Sequence, residues 1–149
     1  MKNIVLDENI ILLAAKAKDT DGNPDYTCFS ILLQILQECD YALYCSTELM
    51  KKYQTKLNDL EKINKSATFT SDLVKHLQRN RKIKLQTYLP NLPCEEEVPR
   101  KDIFLIRLAA INQSTVITTD CRLKDKLITK DLISKFGIFI KHPKDFNRI

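Results

Sequence analysis

The stretch Asp102–Asp120, DIFLIRLAAINQSTVITTD, decides how this chain is read. Pro99 stands just before it, where a fixed φ and a missing N–H suit the start of a helix. Ile103, Ile106, Leu108 and Ala110 place apolar side chains at mixed helical spacing. Asn112-Gln113-Ser114 breaks that helix. Thr115-Val116-Ile117-Thr118-Thr119 is β-branched throughout, which suits a pleated strand. The unit is therefore helix, turn and buried strand, with one aspartate at the head of the helix and another at the end of the strand. In open α/β sheets ligands bind just beyond the carboxyl ends of the strands. If the helix runs antiparallel to the strand, Asp102 and Asp120 share that edge.

Working outward, the same alternation covers the chain. Asn3–Leu6 is an apolar strand ending at Asp7, followed by a short helix over Ile10–Ala17. Lys18–Asp25 is turn-rich. Its DxDGN string has glycine fourth from Asp19 and serine, Ser30, at position twelve, which does not suit a calcium loop. It reads as a plain loop with Asp25 capping the next helix. Tyr26–Cys39 is an apolar helix, either a core helix alone or one that also helps form a homodimer. Tyr41–Cys45 is a second strand. Ser46 fits the N-cap of a polar helix reaching about Ile63, and Thr68–Asn80 is another helix. Ile83–Tyr88 is a small strand or an extended connection. After Asp120, Leu123–Lys135 is a helix with Gly137 at its C-cap, and Ile138–Ile140 is the last strand. Strands alternating with helices predict an α/β fold, a parallel sheet of four to five strands with helices on both faces. The extra helix between the second and third strands is the main irregularity. At 149 residues one domain over 1–149 is expected.

Composition narrows the chemistry. Apolar residues make up 44% and charged residues 29%, ordinary for a water-soluble chain. The longest apolar run, Ile10–Ala15, is too short to span a membrane. Asp7 and Glu8 interrupt the first apolar stretch, so no signal peptide is expected. Five cysteines without a CxxC read as reduced thiols of a cytoplasmic protein. His76 and His142 are too few for a His-rich zinc site. Gly22 and Gly137 are the only glycines, which excludes GxGxxG and P-loop phosphate cradles.

What remains is carboxylate chemistry. Asp7 follows the first strand, Glu48 lies in the first turn after the second, Asp102 heads a helix and Asp120 ends a strand. A parallel sheet brings all four to one edge. Carboxylates without histidine or cysteine suit a hard cation, Mg²⁺ or Mn²⁺, which binds phosphate oxygens and activates water. Each acid also has a plainer reading. Asp7 and Asp120 suit helix caps, and Glu48 and Asp102 complement helix dipoles. Between Met50 and Tyr88 there are ten Lys or Arg against three acids. Lys75, Arg79, Arg81, Lys82 and Lys84 are therefore candidate contacts to an RNA backbone, with a solvated helical face as the alternative.

Ile4-Val5-Leu6-Asp7-Glu8-Asn9, together with Asp102, Ala109 and Thr118-Thr119-Asp120, resembles the PIN-domain ribonucleases, which include the VapC-type toxins. The resemblance covers roughly the first dozen residues, the segment around 41–53, and residues 101–124. It implies a parallel α/β sandwich and metal-dependent RNA cleavage. Asp7, Asp102 and Asp120 would be metal ligands, with Asn9 and Thr118 in support. An antitoxin protein would be a partner if the chain is a toxin; an RNA-processing role is the alternative. Many family members carry an acid where Lys52 stands, counting from Ser46. Glu48, one turn earlier on the same helix face, is expected to replace it and Lys52 to reach the substrate. A haloacid-dehalogenase phosphatase would need a second aspartate where Asn9 stands. A receiver would need an aspartate after a middle strand, and Cys45-Ser46 supplies none. The serious competitor is a catalytically degenerate RNA- or protein-binding module on the same fold.

Overall fold

The computed structural model describes residues 2–19 and 21–147. Five strands form one sheet in the order β3-β2-β1-β4-β5: β1 Lys2–Leu6, β2 Tyr41–Ser46, β3 Ile83–Gln86, β4 Thr115–Ile117 and β5 Phe139–Lys141. Every pairing is parallel, with Lys2 opposite Tyr41, Leu43 opposite Ile83, Val5 opposite Val116 and Val116 opposite Ile140. The α/β class and the parallel sheet are those expected from the sequence, and of the short 83–88 stretch residues 83–86 enter the sheet as an edge strand.

Alternation along β1 explains why both faces are covered. Ile4 and Leu6 point to one face, with Leu43, Cys45 and Ile117, and meet the helices that precede β3. These are α1 Glu8–Lys16, α2 Thr27–Gln37, α3 Thr47–Glu61 and α4 Ser66–Arg79. Val5, Val116 and Ile140 point the other way, against α5 Ile103–Ile111, α6 Cys121–Thr129 and α7 Leu132–Phe136. A strand with apolar residues on successive positions is what a doubly covered sheet requires. β1 sits at the centre. Strands before residue 87 lie on one side of it and strands after residue 114 on the other, so the strand order reverses between β1 and β4.

Local signals account for most boundaries. Ser46 caps α3, its hydroxyl accepting the Leu49 N–H at 3.0 Å. Asn64 opens α4 two residues earlier than the expected Thr68, accepting the Ser66 N–H at 3.0 Å. Gly22 and Gly137 both adopt positive φ, at 81° and 68°, and Gly137 ends α7 as expected. The Asp19 carboxylate accepts N–H groups of Asp21 and Asn23 within its own turn. That holds a plain loop together. Asp25 accepts the Thr27 N–H at 3.0 Å at the start of α2. One expected helix, 123–135, is two: the chain turns at Asp131, whose φ is 54°, and a short α7 follows. Cys28, Cys39, Cys45, Cys94 and Cys121 are all free thiols. Burial pushes Cys45 up to about 12 and Cys28 up to about 11, so both stay protonated in the core. No helix among the described residues is long and apolar enough to cross a membrane.

Candidate active site

Four connections meet at the carboxyl edge of the sheet, and each delivers an acid. Asp7 leaves β1, Glu48 sits in the first turn of α3 after β2, and Asp102 closes a single 3-10 turn, Arg100–Asp102, that leads into α5. α5 runs back toward the start of β4, so its head lies where β4 ends. Asp120 follows β4 after two residues and heads α6. Asp7, Glu48, Asp102 and Asp120 line one cleft of about 190 Å³, and Glu8, Lys52 and Lys101 line it with them.

The acids are not equivalent. Asp120 is a helix cap: its Oδ1 accepts the N–H groups of Arg122 at 3.0 Å and Leu123 at 3.1 Å. Its Oδ2 faces the Lys101 ammonium at 3.8 Å. Asp7 and Asp102 also occupy N-cap positions, yet neither side chain caps its helix. Asp7 Oδ2 instead accepts the Thr118 hydroxyl at 2.8 Å. The Thr118 Oγ1 in turn accepts the Asp120 N–H at 3.0 Å, so one threonine ties the end of β1 to the end of β4. Asp102 is only 8% exposed, and its Oδ2 has no hydrogen-bond partner. A buried carboxylate oxygen left unpaired is costly.

Electrostatics follows from this crowding. Burial raises the Asp7 carboxyl above its usual range; the Thr118 hydroxyl and the Glu8 N–H oppose the shift, while the charges of Glu8 and Asp120 add to it. Burial raises Asp102 too, and the charges of Asp7 and Asp120 reinforce it, with Lys101 and Lys52 pulling the other way. Desolvated like charges of this kind mark sites that take a cation or a proton.

The donor set of carboxylates and a threonine hydroxyl, without thiol or imidazole, fits a hard divalent cation, and so does the unpaired oxygen of Asp102. As they stand, however, no three Asp, Glu, His or Cys side chains among the described residues form a group that could hold one ion. The side chains themselves supply a reason. Asp120 is turned back onto its own helix and toward Lys101, and Glu48 is exposed at the rim.

Of the supporting residues, Thr118 stands inside the constellation as expected, and Asn9 lines the cleft. Lys52 lines it as well. The run Lys75 to Lys84 does not. Lys82 reaches back to the carbonyls of Glu38 and Tyr41, at the end of α2 and the start of β2. That is the amino edge of the sheet, opposite the acids. Arg79 ends α4 and Arg81 leads into β3 at the same edge, Lys75 lies in the groove between α3 and α4, and Lys84 is exposed on β3.

Apart from Lys52, the cations that flank the acids were not singled out from the sequence. A groove of about 670 Å³ beside Asp102 and Asp120 carries Lys101, Arg122 and Lys126. Another of about 370 Å³ carries Lys51, Gln86, Thr87 and Phe104. Their signal was positional: Lys101 adjoins Asp102, and Arg122 and Lys126 share the helix that Asp120 caps. Comparison of the chain with protein-family models, curated proteins and solved structures finds no match.

Proposed function

We propose that the chain is a metal-dependent ribonuclease of the PIN-domain kind, cutting RNA phosphodiester bonds at the carboxyl edge of its sheet. The observation that carries this reading is the convergence of Asp7, Glu48, Asp102 and Asp120 in one cleft, with the buried Asp102 oxygen unpaired. The groove beside Asp102 and Asp120, which carries Lys101, Arg122 and Lys126, supports a polyanionic substrate; the groove on the Phe104 side carries Lys51 with Glu48.

In this reading Asp7 and Asp102 hold one or two Mg²⁺ or Mn²⁺ ions, with Asp120 and Glu48 completing the set. The ion supplies Lewis acidity to the phosphodiester and to the attacking water. Thr118 fixes the orientation of Asp7 through its hydroxyl. Lys52 and Lys101, already in the cleft, meet the phosphate charge. Among the described residues no histidine lines the cleft.

The Lys101–Asp120 contact and the charge of Lys52 acting on Asp102 favour one second reading. In a degenerate RNA-binding module, lysine ammonium groups take the place of the ion. The test is cleavage of labelled RNA by the purified chain in Mn²⁺, with EDTA and Asp7→Asn as controls. Cleavage that needs both Mn²⁺ and Asp7 supports the nuclease. Metal-independent RNA binding without cleavage supports the module.

A further inference from the structure

Phe104 is the second residue of α5, IFLIRLAAI, a helix that is apolar but for Arg107 and largely covered. Its side chain is 54% exposed, an expensive position for a phenyl ring. The ring lines both the acidic cleft and the groove that contains Gln86 and Thr87. It is also held. The Arg107 guanidinium lies over it at 5.2 Å from the centroid. Arg107 is fixed in turn by a bidentate pair with Glu95, whose Oε2 accepts from Nε at 2.8 Å and also takes the Leu92 N–H at 2.9 Å. That pairing draws Glu95 down to about 2, so the clamp is ionised at any working pH. The result is a partly exposed, braced aromatic beside a metal-suited acid cluster. The amide of Gln86 and the hydroxyls of Ser46, Thr47 and Thr87 line the space next to it, with Glu48, Lys51 and Leu89.

From this we infer that Phe104 is a stacking platform for an unpaired base next to the cleaved phosphate. The inference deepens the nuclease reading and rests on it. A base inside a duplex is already stacked and cannot lie on a protein ring, whereas unpaired bases are recognised by aromatic stacking with hydrogen bonds to their edges. Gln86 and Thr87 supply those edge contacts, and Lys51 meets the adjoining phosphate. The groove of about 370 Å³ falls within the size range of small-ligand pockets. Across the cleft, Lys101, Arg122 and Lys126 continue the backbone track.

The experiment measures binding in EDTA, so that it is independent of cleavage. The probes are a fluorescein-labelled single-stranded oligoribonucleotide, the same bases hidden in a stem, and a single strand carrying 2-aminopurine. Wild type should prefer the single strand by about tenfold or more and quench the 2-aminopurine. Phe104→Ala should weaken single-strand binding by roughly 5- to 100-fold and lose the quenching, in line with what a base–aromatic stack is worth. Phe104→Trp should keep both, which separates stacking from damage to α5. Equal affinity for stem and strand overturns the inference, as does an Ala variant that binds like wild type. A Phe104→Ala variant that binds RNA normally but loses self-association in sedimentation overturns it too, because the ring then covers a second copy of the chain. Mn²⁺-dependent cleavage is assayed separately. Cleavage with Phe104-independent binding defeats this inference alone, while Phe104-dependent binding without any cleavage leaves a stacking platform for RNA and defeats the nuclease reading.

Discussion

Asp102→Asn should make the metal-free protein more stable at neutral pH. The carboxylate is 8% exposed, one of its oxygens is unpaired, and Asp7 and Asp120 repel it. Lys101 and Lys52 offset part of that cost. Removing one desolvated, partly compensated charge should gain about 1–2 kcal/mol. For a chain of this length that is a rise in Tm of roughly 2–8 °C. The sign with pH is fixed by the direction of the shift. Asp102 has a folded pKa above its ordinary 3.8, so its contribution to stability is fully present below 3.8 and is lost as pH rises through the folded value. The advantage of Asp102→Asn should therefore vanish below about pH 3.8 and grow above it. Thermal melts of both proteins across pH 3–8 in EDTA measure this. Mn²⁺ at about a hundred times its Kd should then add about 2.7 kcal/mol to wild type and far less to the variant. An Asp102→Asn protein that is less stable at pH 7, with an undiminished Mn²⁺ response, would refute both the electrostatic account and the site.

Three further outcomes are expected. Asp120→Ala should lower Tm by roughly 2–4 °C for the loss of a helix cap worth about 1 kcal/mol, while Asp120→Asn keeps the cap and should not; equal melts for the two variants would show that the cap contributes nothing. Glu48→Gln should cost at least about 10²-fold in Mn²⁺-dependent cleavage and Lys52→Ala should mainly weaken RNA binding, whereas an inert wild type that gains cleavage with Lys52→Glu would make the natural chain the degenerate module. Charge reversal at Arg122 and Lys126 should flatten the slope of log K against log salt by about 0.7 for each lost phosphate contact, while Lys82→Ala should lower stability and leave that slope alone; the opposite pattern would return RNA binding to the 75–84 segment.

The sheet, its parallel sense and the acid edge were legible because they rest on periodicity and on where strands end. Asn3–Leu6 and Thr115–Thr119 could be read as strands from their side chains alone, and the aspartates that follow them then fell at one edge. The basic run lies away from the acids for a topological reason. Residues 79–82 join the end of a helix to the start of a parallel strand, and in such a sheet that junction lies at the amino edge, opposite every strand end. Counting charges gives no edge; following the direction of the chain does. Asp131 was opaque for another reason: nothing in the sequence distinguishes an aspartate that takes a left-handed φ from one inside a mixed-charge helix. Phe104 was hidden by its neighbours, since one exposed phenyl in IFLIRLAAI looks like every other apolar residue of that helix.

The reversal of strand order at β1 has a consequence for synthesis. Residues 2–86 contain three adjacent strands, four helices and the greater part of one core, enough to begin packing while the rest of the chain is still being made. They carry Asp7 and Glu48 but neither Asp102 nor Asp120. On the proposed function, a nascent chain emerging beside ribosomal RNA and its own message is harmless. On the same proposal it would become able to cut only when the second half docks across the seam between β1 and β4.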